Sequence, residues 1–406
     1  MVKPGYKQTE IGAIPENWEV VTIGDVASFQ GGSQPPIQHF AFQEQEGYIR
    51  LVQIRDYKTD KYLTYIPISL AKRFCTKDDI MIGRYGPPIF QILRGIEGSY
   101  NVALIKATPK DVDKEFLFYI LKAEPLFEYI DLLSRRSSGQ TGVDLDGLRE
   151  YKIGLPPKSE QICIADALSN MDKLISVIEK QIAKKKGIKQ GAMQDLLTGK
   201  KRLPGFSEKW ESNKLHKCTE RIIVGLATSV TQYYRERGTV IFRNLNILPN
   251  KLDDRDILYL DPDFANTYPN KKVKANDVLT VHTGYVGISC LVPPKYEGAL
   301  TFTTLITTTK KDVLSPAFLV AHLNSPIGTK TIEALQAGGG RNNLNVSDFE
   351  QYELFFPQDV AEQEAIAEVL SNMDSEIEAL EQKLAKYRQV KQGMMQQLLT
   401  GKIRLL

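Results

Sequence analysis

Cysteine, histidine and tryptophan are scarce in this chain of 406 residues, which has only four, four and two of them. Cys75, Cys163, Cys218 and Cys290 form no CxxC pair and no closely spaced framework. That excludes a disulfide scaffold and predicts a reducing, cytoplasmic location. His39, His216, His282 and His322 are scattered, without the spacing of a zinc site, so no metal is expected. No apolar run approaches the roughly 18–20 residues that span a bilayer, and the opening Met1-Val2-Lys3-Pro4-Gly5-Tyr6 lacks the apolar stretch of a secretory signal. An excess of one charge is missing too. With 52 Lys+Arg against 49 Asp+Glu, the net charge of +3 does not by itself diagnose a nucleic-acid partner. What remains is an ordinary globular composition, 42% hydrophobic and 25% charged, enough for two or three domains at about 150 residues each.

The informative feature is a repeat. Residues 160–204 align without a gap to 362–406 at a constant offset of 202, with 25 of the 45 positions identical. Glu160-Gln161, Ile164-Ala165 and Leu168-Ser169-Asn170-Met171-Asp172 return as Glu362-Gln363, Ile366-Ala367 and Leu370-Ser371-Asn372-Met373-Asp374. Lys189-Gln190-Gly191 through Leu196-Leu197-Thr198-Gly199-Lys200 return as Lys391-Gln392-Gly393 through Leu398-Leu399-Thr400-Gly401-Lys402. Agreement of that length is a duplication.

Each copy has the period of a long helix. Leu168, Met171, Ile175, Ile178 and Ile182 in the first, and Leu370, Met373, Ile377, Leu380 and Leu384 in the second, recur in steps of three and four. That spacing makes a narrow stripe, the seam of a coiled coil, and the two stripes predict each other as partners, the alternative being that each helix packs only on its own neighbouring globule. The stripe moves back one place at Ile188 and Val390, so a slip or bend is expected near Gly191 and Gly393. Ser159 is a possible N-cap of the first helix, and Gly199 and Gly401 are stop residues.

Residues 1–155 and 203–357, of equal length, differ in most of their sequence but share faint echoes. Trp18 and Trp210 lie near the two starts. Tyr48–Ile54 parallels Ile241–Ile247, and Asp79–Ile82 parallels Asp277–Thr280, as strands. Short helices are expected over 113–133 and 315–335. A Gly- and Ser-rich loop, Ser137–Gly142 or Gly338–Asn343, precedes each long helix. The predicted fold class is α/β (mixed α+β). Two similar globules, 1–155 and 203–357, alternate with helical regions 156–202 and 358–406, which form an antiparallel coiled coil with pseudo-twofold symmetry.

This layout resembles the specificity subunit of type I restriction–modification systems. The resemblance spans the whole chain and is carried by Glu10-Ile11-Gly12-x-Ile14-Pro15-x-x-Trp18, the two Glu-Gln…Ile-Ala helices and the Gln-Leu-Leu-Thr-Gly-Lys endings, with Asp195 interrupting the first copy. It implies two target-recognition domains, each reading one half of a bipartite, asymmetric site on double-stranded DNA. It also implies helices that dock two DNA adenine methyltransferase subunits, and through them restriction/translocase subunits. S-adenosylmethionine, ATP and Mg would then belong to the partners, and this chain would be non-catalytic and need no cofactor. At its end, Gly401 through Leu405 match the first copy, which continues into Pro204-Gly205-Phe206; residues 5–18 are the expected counterpart of that continuation.

A search for catalysts agrees. Leu260-Asp261-Pro262-Asp263-Phe264 superficially resembles an adenine methyltransferase loop, but Asp263 replaces the second Pro and no Gly-rich cofactor loop follows a strand at a fitting distance. Asp261-Pro262 is expected to be a plain turn. A phosphate-binding GxxxxGK[ST] loop is absent, since Gly199-Lys200 is followed by Lys201. Two other classes remain as alternatives: a degenerate methyltransferase-like enzyme and a coiled-coil protein scaffold.

Base edges are read by Arg, Asn and Gln, while Lys, Arg and Ser hold the backbone. Polar residues flanking the strands or on the Gly-rich loops are therefore the candidate DNA contacts. They are Arg50, Gln53, Arg55, Arg84, Tyr85, Arg135, Arg136 and Gln140 in the first globule. In the second they are Arg243, Asn244, Asn246, His282, Tyr285, Arg341, Asn342 and Asn343. Lys184, Lys185, Lys186 and Lys189 are read either as a solvated helix face or as phosphate contacts. A helix of some 35 residues spans roughly 50 Å at about 1.5 Å per residue, which is about 15 base pairs at 3.4 Å each. Helix length is thus expected to set the unread gap, and four residues inserted near Val177 are expected to lengthen it.

Overall fold

The computed structural model describes residues 3–136, 142–339 and 343–405. It divides into two compact units, Met1–Glu179 with Lys383–Leu406, and Lys180–Gln382. Each unit therefore holds one globule and one half of each long helix.

In the first unit, Ala27–Gly31, Leu104–Pro109, Ile80–Gly83 and Gln91–Leu93 form an antiparallel sheet in that order. Ile80–Gly83 is buried along its whole length, as a run of β-branched and apolar residues in a central strand should be. A second sheet runs Tyr65–Pro67, Tyr48–Val52, Gly98–Tyr100, Phe74–Cys75, with its two middle strands parallel. The second unit repeats the plan. Thr219–Val224, Thr304–Thr309, Val278–Val281 and Ser289–Leu291 make one sheet. Tyr234–Arg235, Leu258–Leu260, Thr239–Phe242 and Leu300–Thr301 make the other, again with one parallel pair, Ile241↔Leu300.

Each expected short helix is in fact a pair: Lys114–Leu121 with Glu124–Arg136, and Pro316–Leu323 with Pro326–Gly339. Asp113 and Ser315 cap the first member of each pair by accepting from the N–H of Phe116 and Phe318. The strand expected over Ile241–Ile247 ends at Phe242, because Asn246 accepts from the Arg243 N–H and tightens Asn244–Asn246 into a single 3₁₀ turn.

The long helices run Lys158–Leu196 and Val360–Leu398, 39 residues each. The expected bend does not interrupt them: Gly191 and Gly393 lie inside unbroken helix. Ser159 is not a cap, since the first helix already includes Lys158, whereas Asp359 caps the second by accepting from the Ala361 N–H. Gly199 and Gly401 follow the helix ends at positive φ, +68° and +70°. A side chain there would also meet Trp210 in one case and Pro15 and Trp18 in the other. Of the predicted seam residues, Leu168, Ile175, Ile178 and Ile182 are buried, as are Leu370, Ile377 and Leu384, with Met171, Met373 and Leu380 half-buried.

The core of the second unit contains His322, buried and hydrogen-bonded to the Tyr352 hydroxyl at 2.9 Å. Burial pushes its imidazole down to about 4. An unfolded histidine titrates near ~6.5, so the unfolded state binds more protons over that interval. Stability is complete above pH 6.5 and falls as pH drops toward 4, by about 3 kcal/mol. Urea midpoints measured from pH 7 to 4 should show this fall in wild type and a flatter profile in His322→Gln. Parallel profiles would assign the acid sensitivity to other groups.

Candidate nucleic-acid interface

The globules are seated on the helices by the same residues twice. In the first unit, the buried Glu160 carboxylate accepts from both Nε and Nη2 of Arg404, at 2.7 and 2.8 Å, and from Trp18 Nε1 at 3.0 Å. In the second, the buried Glu362 takes the same two-pronged grip from Arg202. The neighbouring Gln161 accepts from the Asp113 N–H and donates to the Pro156 carbonyl. Gln363 accepts from the Ser315 N–H and donates to the Pro357 and Val313 carbonyls. These glutamines therefore tie each long helix to the cap of the paired short helices.

Within each unit the helix halves run antiparallel, and their ion pairs repeat. Asp172–Lys391 and Glu179–Arg388 in the first unit correspond, at the offset of 202, to Asp374–Lys189 and Glu381–Lys186 in the second. Lys185 pairs in addition with Glu376. Three of the four lysines considered as phosphate contacts thus have carboxylate partners in the chain itself. Burial pushes the Asp172 carboxyl up, but hydrogen bonds from Lys391 and Tyr119 outweigh it and hold it below the usual carboxylate range.

Removing one member of a buried pair strands the other charge, which costs about 3–5 kcal/mol. Arg404→Ala is therefore expected to destabilise the first unit by that amount, and Arg202→Ala the second. Hydrogen exchange should show Arg404→Ala loosening amides in residues 14–30 and 112–121 while those of 278–309 stay protected. Equal loosening in both units would contradict separate anchoring.

Above these anchors, three segments distant in sequence meet in each globule. In the second, Asn244 donates to the Thr283 carbonyl at 3.1 Å and accepts from Thr304 Oγ. Thr283 bridges to Asn343. His282 and Leu344 bond each other twice, through the His282 ring and through the Leu344 N–H to the His282 carbonyl. In the first, the Val143 N–H donates to the Arg84 carbonyl at 3.0 Å, and Gly142 packs closely against the Tyr85 ring. Gln53 and Arg55 both donate to Thr64 Oγ. In the second globule the turn after one strand, the turn after another and the end of the Gly-rich loop are thus brought together, and in the first Ile54 lies against Gly83 while Arg84 bonds Val143.

Several candidate contacts are already engaged within the chain. Arg50 pairs with Asp56 and Asp60. Arg243 pairs with Asp256, and the buried Asn246 donates to the carbonyls of Asp253 and Asp256. Arg84 lies over the Tyr85 ring, 5.3 Å from its centre. Arg135 is exposed and pairs with Asp131 one turn back on its own helix. Arg55 is half-exposed, and Tyr285 is 85% exposed. The side chains of Arg136, Gln140, Arg341 and Asn342 lie outside the described residues. Sequence reasoning missed Leu245, 77% exposed on the 3₁₀ turn, and Tyr62, 54% exposed beside Arg55 and Lys61. Both sat in segments with no polar periodicity to mark them.

Asp261 is the N-cap of a short helix, Pro262–Asn266, rather than a plain turn. It accepts from the N–H groups of Asp263 and Phe264 and pairs with Arg235. Among the described residues no helix is long and apolar enough to cross a membrane.

The type I restriction modification DNA specificity domain family matches residues 15–186 and again 225–387. The MjaVIII type I restriction enzyme specificity subunit of Methanocaldococcus jannaschii is 27% identical over 98% of this chain and 96% of its own. The putative MjaX specificity subunit of the same organism is 28% identical over 98% and 97%. In fold, the chain is similar to the S subunit of a type I restriction–modification system from M. genitalium, with a TM-score of 0.62, 14% identity and coverage of 98% and 99%. It is also similar to a chain from a structural study of complex assembly and conformational transition in the type I R-M system, with a TM-score of 0.59, 15% identity and coverage of 96% and 99%. A family pattern matched twice, once on each globule with its helix, places this chain in the family of type I restriction–modification DNA specificity subunits.

Proposed function

We propose that each globule reads one half of a bipartite, asymmetric DNA site, and that the long helices set the gap and dock two adenine methyltransferase subunits. One observation carries this reading. Two globules that differ in most of their sequence are held by identical anchors, Glu160, Gln161 and Asp172 against Glu362, Gln363 and Asp374. A constant seat under divergent loops is what a reader of two unlike half-sites requires. The converging turns and Gly-rich loops supply the contact surface, with Arg55, Tyr85, Arg135, Tyr285 and Asn343 the foremost contacts among the described residues.

Leu174, Val177, Ala379 and Val390 leave apolar groups uncovered on the helices and are the proposed methyltransferase seat. Restriction subunits would join through those partners. S-adenosylmethionine, ATP and Mg serve the partners, and the chain itself does no chemistry and works in the cytoplasm with the DNA.

The test is a genome-wide map of N6-methyladenine in the source cell with and without the gene. Loss of one split motif with a fixed gap is the expected result. An unchanged map in a cell whose methyltransferase is active would overturn the reading. The isolated chain is expected to bind no labelled S-adenosylmethionine, whereas a methyltransferase-like enzyme would bind it.

A further inference from the structure

The second globule presents two large apolar side chains where base contact is proposed. Leu245 and Tyr285 are 77% and 85% exposed, the most exposed large hydrophobic residues among those described. They stand on two segments that Asn244 locks together, through its bond to the carbonyl of Thr283 two residues before Tyr285. Gly284 and Gly287, at φ of +89° and +93°, turn the chain sharply on either side of Tyr285. Three nearby polar groups suited to base edges are occupied: Asn244 by Thr283 and Thr304, Asn246 by two carbonyls, His282 by Leu344. Nearby Asp253, Asp254 and Asp256 are each paired, with Arg255, Lys295 and Arg243, so their charges are offset.

We infer that Leu245 and Tyr285 form an apolar wedge that enters a base step of the second half-site and kinks the duplex there. The inference rests on the reading of this globule as a DNA-recognition domain, and it names how that domain reads. Apolar side chains driven between bases unstack them and bend the helix by ~20–90°. The cost of that deformation depends on the step, lowest at flexible pyrimidine–purine steps, so a wedge selects sequence without hydrogen-bonding a base. Leucine and tyrosine on a hydrogen-bonded platform suit that role, because the platform resists being pushed back when the stack is opened.

The experiment uses the full chain with its methyltransferase partners and duplexes carrying the mapped split site. Bend angle is read by energy transfer between duplex ends, and unstacking by 2-aminopurine placed at each step in turn. Wild type is expected to kink one step of the second half-site. Leu245→Ala/Tyr285→Ala is expected to abolish the kink, leave the first half-site unchanged and weaken binding about 5- to 150-fold, the range for losing a base–aromatic stack. Both residues are exposed, so thermal unfolding of the variant should match wild type. A straight duplex in a bound wild-type complex, or a kink that survives in the variant, would overturn the inference while leaving the proposed function intact. So would a loss reproduced by replacing thymine with uracil in that half-site, since that marks methyl contact instead. Absence of split-site binding by the wild-type complex would overturn the proposed function, and the wedge with it.

Discussion

A chain cut after Pro204 is expected to form a dimer and to redirect methylation to a palindrome of the first half-site. The argument is one of equivalent positions. In the full chain the first unit is completed by the second half of the second helix, which supplies Arg388 to Glu179, Lys391 to Asp172 and Arg404 to Glu160. At the offset of 202 the first helix carries Lys186, Lys189 and Arg202 in the same places, and these already hold Glu381, Asp374 and Glu362. A second copy of residues 1–204 can therefore supply a cation to Glu179, Asp172 and Glu160 as the missing half did, and accept the same in return. Leu196, Leu197 and Gly199 stand in for Leu398, Leu399 and Gly401. Ala192 replaces the larger Met394 that packs on the first core, and the one mismatch among the ion pairs is Lys185, which loses Glu376 and finds Leu174 at the equivalent position. That is an exposed pair, worth about 0–1 kcal/mol.

Left alone, the fragment would expose the seam from Leu168 to Ile182, so the monomer is strongly disfavoured. Sedimentation should give a mass close to the 45.7 kDa of the whole chain, against about half that for a monomer. Cells carrying only the fragment and the methyltransferase should methylate two inverted copies of one half-site. A monomeric fragment, or a motif that keeps its asymmetry, would show that the two ends of the duplication are not interchangeable.

The duplication made much of this legible in advance. The two helices and their apolar stripes follow from periodicity, because a buried stripe must repeat with the geometry of its element, and the strands around Tyr48, Ile80 and Val278 follow from apolar-rich runs ahead of turns. The anchors were visible as identities, Glu160 with Glu362 and Gln161 with Gln363, but their role was not. Nothing in one sequence says that Arg404, 244 residues away, reaches Glu160. The partners of the lysines at 185, 186 and 189 were hidden for the same reason, since their carboxylates lie on the other helix. The proposed contact residues were the least legible. A polar side chain after a strand looks the same whether it faces a base or, like Asn246, bonds two carbonyls of its own loop. Leu245 went unread because a leucine in an apolar run is normally core, and only the 3₁₀ turn at Asn244–Asn246 brings it to the surface.

Four residues inserted in both helices at once, between Glu179 and Lys180 and between Gln382 and Lys383, are expected to widen the unread gap by one or two base pairs. Both half-sites should be unchanged. The sequence alone suggests that four residues near Val177 suffice, but the ion pairs between the helices call for a matching insertion in the second. Every ion pair between the helix halves lies on one side of these cuts, so both anchored units keep their own contacts. An insertion in the first helix alone, as near Val177, leaves the second four residues short and breaks that register. Duplicating Ser176–Glu179 and Ala379–Gln382 repeats Ile178 and Leu380, which keeps apolar residues on the seam. Advance and rotation then decide the outcome together. Four helical residues add about 6 Å and a net turn of about 40°. One to two base pairs add about 3.4–7 Å and, at 10–10.5 base pairs per turn, about 34–70°. The insertion therefore carries a recognition domain to a new position in nearly the right rotational phase. Seven residues add about 10 Å but turn back by about 20°, while the three base pairs of that length turn by about 100°. The seven-residue variant should consequently lose methylation, not shift it. Methylation maps of the two variants give the answer directly. A four-residue variant that keeps the original gap, or a seven-residue variant that methylates efficiently at a longer one, would show that something other than helix length and phase sets the spacing.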